Sequence, residues 1–230
     1  MEIYQLKLRM YMLEDVESAY ILNKISNLLD SVLAQDPEML EFHGENTYKY
    51  YCFNMPFPLE NDKIYRKDRL YSVTLRMVNI KLAKYFSEKL PFASSTTMKG
   101  LVIEQRVIPQ KFLECVYTIT PVLLKDNKGY WRTHMSVEEY ENRIKSNLIK
   151  KWNTYFHTKI DESFELIERL EFLNQKPVGF CVKNHTLLGD KVCIYVAKNK
   201  SAQDLMHFAL AAGLLEGGAR GAGFINYRWL

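Results

Sequence analysis

Cysteine is sparse and unpaired in this 230-residue chain: Cys52, Cys115, Cys181 and Cys193 form no C-x-x-C spacing, and no histidine stands near them at ligand spacing. That argues against a zinc ribbon or a dithiol redox motif and leaves the four as core thiols, reduced as expected of a cytoplasmic protein. Histidine is scarce as well. There are five, none paired at metal-ligand spacing on one element, so no metal is expected. Long apolar runs are missing. The longest near the C-terminus, 208–215, falls far short of a membrane span, and residues 1–12 alternate like a strand rather than a signal peptide. Neither a membrane partner nor a targeting segment is expected. A strong charge of one sign is lacking too: the net charge of +4 allows nucleic acid without requiring it. Paired aromatics in the exposed central-strand pattern by which RNA-recognition sheets stack bases are also absent.

Glycine is present ten times, and half of it falls in one stretch: Gly213, Gly217, Gly218, Gly221 and Gly223. Such density lets the backbone reach positive φ and pass close to a ligand, with amide N–H groups able to face an anion. Arg220 places a permanent, planar cation among them. The dinucleotide fingerprint G-x-G-x-x-G must follow a strand and open a helix. Here the order is reversed and seven residues follow, so no nucleotide cofactor is expected. The Gly218–Gly221 piece is like the backbone clamp of KH domains, but that clamp joins helices and this stretch feeds a strand. A tight helix-to-strand turn is the plain structural alternative.

Apolar residues make up 47% of the chain, ample for a core, and their periodicity yields the plan. Residues 1–12 alternate with one slip of register and predict a strand. Val16, Ala19, Tyr20, Ile25, Leu29 and Val32 predict a helix that begins near Asp15 and ends before Asp36-Pro37. Strands are expected over 47–55, 70–80 and 99–108, with a short helix over 81–90. The second half repeats the order: a strand over 112–124, a helix over 137–156 and strands over 164–174, 178–183 and 191–198. A last helix opens at Ser201 with Asp204 three residues on, and the closing strand follows the glycine stretch. The expected fold class is α+β: tandem ferredoxin-like (RRM-like) β-α-β-β-α-β domains over 1–110 and 111–230, with a boundary near Pro109.

Two groups of side chains stand out beyond the glycines. His43 falls between the first helix and the second strand, six residues before Lys49, in the kind of connection where reactive groups sit. Histidine titrates near neutrality and suits proton transfer. Arg143, Lys145, Lys150 and Lys151 gather on the long helix, behind Glu138, Glu139 and Glu141. This is either ordinary dipole matching or a face for RNA. His134 and His185 are expected in exposed loops, His157 at a helix C-terminus and His207 on a helix face.

Taken together, these features resemble the CRISPR repeat-RNA-processing endoribonucleases, the sixth Cas protein of the RAMP superfamily. The family's C-terminal pattern is G-h-G, five residues, G-h-G. Gly213 to Leu215, Glu216 to Arg220 and Gly221 to Gly223 fit its spacing, with Leu215 in place of the second glycine. The family's histidine after the first helix, with a lysine six residues later, matches His43 and Lys49. Its tyrosine on the first helix falls near Ser26 or Asn27, so Tyr48 and Tyr20 are the alternatives. The resemblance implies metal-independent RNA cleavage, with His43 and Lys49 catalytic. RNA contacts are implied for Gly213, Gly217, Gly218, Arg220, Gly221, Gly223, Arg143, Lys150 and Lys151. The implied partner is CRISPR repeat RNA, and effector-complex subunits or a second copy of the chain are compatible with it. The alternative is a non-catalytic RAMP-type subunit that holds guide RNA.

Overall fold

The computed structural model describes residues 1–182 and 185–230. The first half runs β1 (Ile3–Met12), β2 (Val16–Glu17), α1 (Ser18–Leu33), α2 (Pro37–Gly44), β3 (Tyr51–Phe53), β4 (Ile64–Tyr65), β5 (Leu70–Met77), α3 (Ile80–Lys89) and β6 (Met98–Ile108). The second runs β7 (Leu113–Thr118), α4 (Val137–Phe156), β8 (Ile167–Phe172), β9 (Val178–Val182), β10 (His185–Gly189), β11 (Val192–Val196), α5 (Lys200–Ala212) and β12 (Ile225–Trp229). One four-stranded sheet has the order β3-β5-β1-β6 and the other β12-β7-β11-β8, with every pairing antiparallel. With each half's four main strands numbered in sequence, both orders read 4-1-3-2 from one edge or the other. The two sheets therefore have ferredoxin-like topology.

The slip of register in β1 has a physical cause. Leu6, Leu8, Met10 and Met12 belong to the core of the first half, whereas Ile3 packs with Val78 and Ile108 in the core of the second. One strand thus serves two cores. Helix α5 is likewise shared, packing against β1, β3 and β5 as well as β7, β11 and β12. This explains why its final stretch, Phe208–Ala212, is apolar all round, since a helix buried on every side needs no polar face. Arg76 ties the halves together. Its guanidinium donates to the Ile225 carbonyl at 2.5 Å and to Asn226 Oδ1 at 2.8 Å, beneath the Phe224 ring.

Several local expectations change. Helix α1 starts at Ser18, because Val16–Glu17 pairs with Ile64–Tyr65 and Asp15 binds Arg66 and the Lys67 N–H. Asp36-Pro37 opens a further helix, α2. The Asp36 carboxylate accepts from the Glu38 and Met39 N–H groups, and Pro37 suits the first turn, where an N–H is unneeded. Strand β3 is shorter than 47–55, since Tyr50 kinks the chain at φ 51°. The predicted strand over 112–124 ends at Thr118. Helix α5 is capped by Asn199, which accepts from the Ala202 N–H at 2.9 Å, and not by Ser201. The predicted strand 178–183 is one arm of a separate hairpin, β9–β10; its Lys183 end and Asn184 lie outside the described residues. His185 opens β10.

Candidate functional site

The glycine stretch connects α5 to β12 through a chain of left-handed residues: Gly213, Leu215, Gly217, Gly221 and Gly223 all have positive φ. A side chain has no room at two of them. A Cβ on Gly223 would lie 2.2 Å from the Leu214 carbonyl oxygen, and one on Gly221 would lie 2.9 Å from Leu22 and Phe53. Leu215 adopts this left-handed backbone without being glycine, at φ 50°. That conformation costs a non-glycine residue about 1 kcal/mol.

Much of the loop's hydrogen bonding is internal, so those N–H groups are not turned to an anion. Leu214 N–H donates to Gly223, Arg220 and Ala222 N–H both donate to Gly217, and Gly223 N–H donates to Pro121. Lys151 completes the scaffold from α4. Its ammonium donates to the carbonyls of Ala212, Gly213 and Leu215 at 3.3, 2.9 and 2.6 Å, and the residue is 3% exposed. Burial pushes this amine down to about 8, and the nearby Glu216 carboxylate opposes the shift. It is still charged at neutral pH, with three N–H groups for three carbonyls. Lys151 therefore holds the loop from inside rather than presenting a cation at the surface. Arg143 and Lys150 are exposed on the same helix.

Beside this loop a groove of about 700 Å³ runs between the halves. Residues 46–51 line one wall, Lys150, Lys151 and Thr154 of α4 another, and Leu215–Ala219 of the loop a third. Four lysines (49, 125, 150 and 151) and one acid, Glu216, contribute to the lining. Tyr48 and Tyr50 stand in the wall with ring centroids 6.0 Å apart. Burial raises both phenols, so they remain neutral. Cationic lining with flat aromatic rings suits a phosphate backbone and its bases.

His43 occupies the last turn of α2, half-buried. Lys49 curls back to it, donating to the Phe42 carbonyl and, at 2.7 Å, to the Glu45 carbonyl, so its bonds bracket His43-Gly44. Partial burial lowers the Lys49 amine, with the Glu45 carboxylate opposing. On the other side of His43 is Asp30 of α1, whose Oδ1 lies 3.6 Å from the imidazole Nδ1. Asp30 Oδ2 accepts from Arg220 Nη1 at 2.5 Å, and Ser26 Oγ is 2.6 Å from the same nitrogen.

Thus the structure gathers His43, Lys49 and Arg220 around the junction of α1, α2 and the loop, with Lys150, Gly217 and Gly218 along the adjoining groove. Arg143 stands farther along α4, near enough to Tyr48 to influence its phenol. Tyr20 is ten residues before Asp30 on α1, roughly 15 Å along the axis, and is half exposed. Tyr48 belongs to the groove instead. Sequence reasoning passed over Asp30, although its i+4 spacing from Ser26 places both on one helix face. The arrangement offers an imidazole for proton transfer, an ammonium for developing negative charge and a cationic track for a polyanion.

No family model matches the sequence. Solved structures match in fold across nearly the whole chain. A CRISPR-associated protein Cas6 is 18% identical with a TM-score of 0.66, covering 99% of this chain and 100% of its own. A RAMP protein described as binding different RNA substrates is 17% identical with a TM-score of 0.72, covering 98% and 99%. A Cas6-related protein from Pyrococcus furiosus is 16% identical with a TM-score of 0.66, covering 98% of both chains. The chain has the fold of these proteins. Among curated sequences, a stretch of 105 residues is 30% identical to the dihydrolipoyllysine acetyltransferase component of pyruvate dehydrogenase from Buchnera aphidicola. It covers 42% of this chain and a quarter of that protein's length, 25%.

Proposed function

We propose that the chain is a metal-independent endoribonuclease that cuts CRISPR precursor RNA within its repeats. In this reading residues 1–110 carry the acid–base group and 111–230 the RNA-holding glycine loop. The ribose 2′-OH loses its proton and attacks the adjacent 3′-phosphorus, forming a P–O bond. The bond from phosphorus to the 5′-oxygen breaks, and that oxygen takes up a proton. The products are a 2′,3′-cyclic phosphate and a 5′-OH end. His43 serves as base or acid, a role worth about 10²–10⁴-fold. Lys49 has three N–H donors and uses two on carbonyls, so a third remains for the charge building on phosphorus. The observation that carries this reading is the placement of His43 and Lys49 together beside a lysine-lined groove. The RNA supplies its own nucleophile, so no serine or cysteine has to be activated.

A second reading has support in the fold of the RNA-binding RAMP protein, which this chain shares: a subunit that holds guide RNA and cuts nothing. Other effector subunits or a second copy of the chain would then be its partners, in the cytoplasm. The test is to incubate labelled repeat RNA with the protein in EDTA and map the ends. A cyclic phosphate at one site, lost when that nucleotide is 2′-deoxy while binding persists, supports the nuclease. Tight binding without cutting, across several repeats, supports the holding subunit.

A further inference from the structure

Asp30 contacts both the glycine loop and the candidate histidine, yet the proton-transfer scheme above gives it no part. It lies on α1 four residues after Ser26, and its two carboxylate oxygens face different ways. Oδ2 accepts from Arg220 Nη1 at 2.5 Å, and Oδ1 faces His43 Nδ1 at 3.6 Å. Ser26, 2% exposed, binds the same arginine nitrogen at 2.6 Å. Arg220 in turn rises from a turn flanked by Gly217 and Gly221, both left-handed, and the Gly221 backbone is pressed against Leu22 of α1 and Phe53 of β3. The arginine is therefore anchored at its backbone and at its tip, and the carboxylate it holds has a fixed direction. At 3.6 Å the carboxylate stands just beyond hydrogen-bond reach of the His43 ring. Closing it by about half an ångström makes it a hydrogen bond.

We propose that Asp30 is a positioning residue for His43, held in place by Arg220 and Ser26. The inference rests on the nuclease reading for its consequence, though not for its geometry. Asp30 draws the Nδ1–H of His43 toward α1, which sets the tautomer and leaves Nε2 to face a substrate. When Nε2 takes the proton of the 2′-OH, the resulting imidazolium is stabilised by the carboxylate beside it. Asp30 itself transfers no proton. Arg220 then links the C-terminal glycine loop to the histidine of the first half: a loop displaced from α1 would release the carboxylate.

The test uses Asp30→Ala and Asp30→Asn in the full chain, with melting curves to establish that each is folded. Nitrogen-15 histidine spectra of the protein alone should show the Nδ1–H form of His43 in wild type. In Asp30→Ala the population should move to the Nε2–H form. Asp30→Asn, whose amide oxygen still accepts, should keep the wild-type tautomer. Single-turnover cleavage of a repeat RNA across pH should fall about 10- to 100-fold in Asp30→Ala, the scale on which outer partners of a functional histidine act. The acidic limb of the rate profile should be displaced in both variants, because both remove the charge. Wild-type tautomers together with an undisplaced profile in the two variants would overturn the proposal. If wild type cuts no RNA, the nuclease reading fails, and the spectra alone decide whether Asp30 orients His43.

Discussion

Each half of the molecule brings a helix to its end on a histidine, and the two ends differ in everything around them. His43 lies in the last turn of α2, half-buried, with Asp30 on one side and Lys49 bonded to the backbone on either side of it. His157 ends α4 in the left-handed conformation at φ 52°, exposed to solvent. The sheets beneath them share one strand order. What distinguishes the halves lies between those common strands: the extra helix α2 in the first, the β9–β10 hairpin and the glycine loop in the second. The repeated core supplies rigidity, and the additions supply the groups that can do chemistry.

Lys49 and Lys151, two of the groove's lysines, sharpen the same comparison. Lys49 is half-buried and donates to two carbonyls of the first half, whereas Lys151 is buried and donates to three of the second. Lys151→Met should leave those three carbonyls short of a donor, at about 1–3 kcal/mol for each left unsatisfied. An unfolding free energy several kcal/mol below wild type is expected. Lys49→Met should cost much less stability while slowing any RNA cleavage by more than tenfold. Urea titrations of the two variants, read beside their cleavage rates, would show whether structure and chemistry are divided this way; equal losses of stability would contradict it.

A smaller effect is expected from pH. Both ring nitrogens of His207 in α5 are buried without a hydrogen-bond partner among the described residues, and burial pushes this histidine down to about 4. The unfolded chain therefore takes up the proton first, near pH 6.5. Stability should be intact above that pH and decline as pH falls toward 4, by on the order of 3 kcal/mol in all. His207→Leu should flatten this part of the slope in a pH series of melts, whereas His157→Asn should leave it as in wild type. Smallest of all, Leu215→Gly relieves the left-handed strain and should be within about 1 kcal/mol of wild type. Gly223→Ala, which must displace the Leu214 carbonyl, should destabilise by about 1–3 kcal/mol.

The tandem plan was legible because long strands and helices carry strong periodicity: α4 spans the predicted 137–156. Helix α2 was not, since eight residues give barely two turns and its Asp-Pro start also marks the end of the preceding helix. Lys151 was legible only as one of several basic residues on α4, although it stands seven residues after Ile144 and three after Leu148, on the buried stripe. A charge at a core position is an expectation that periodicity alone discourages, and only the three carbonyls of a distant loop make it tenable. Asp30 escaped for the related reason that its partners, His43 and Arg220, come from other elements. Local pattern places residues on a face; it does not say which far segment meets that face.

The most direct test of His43 as the proton-transfer group is single-turnover cleavage of a labelled repeat RNA by wild type, His43→Ala and His157→Asn, with affinity measured alongside. His43→Ala should lose about 10²–10⁴-fold in rate while still binding RNA, and His157→Asn should cut as wild type does. Cleavage by His43→Ala at the wild-type rate would place the proton transfer elsewhere and remove the functional difference drawn between the two helix ends.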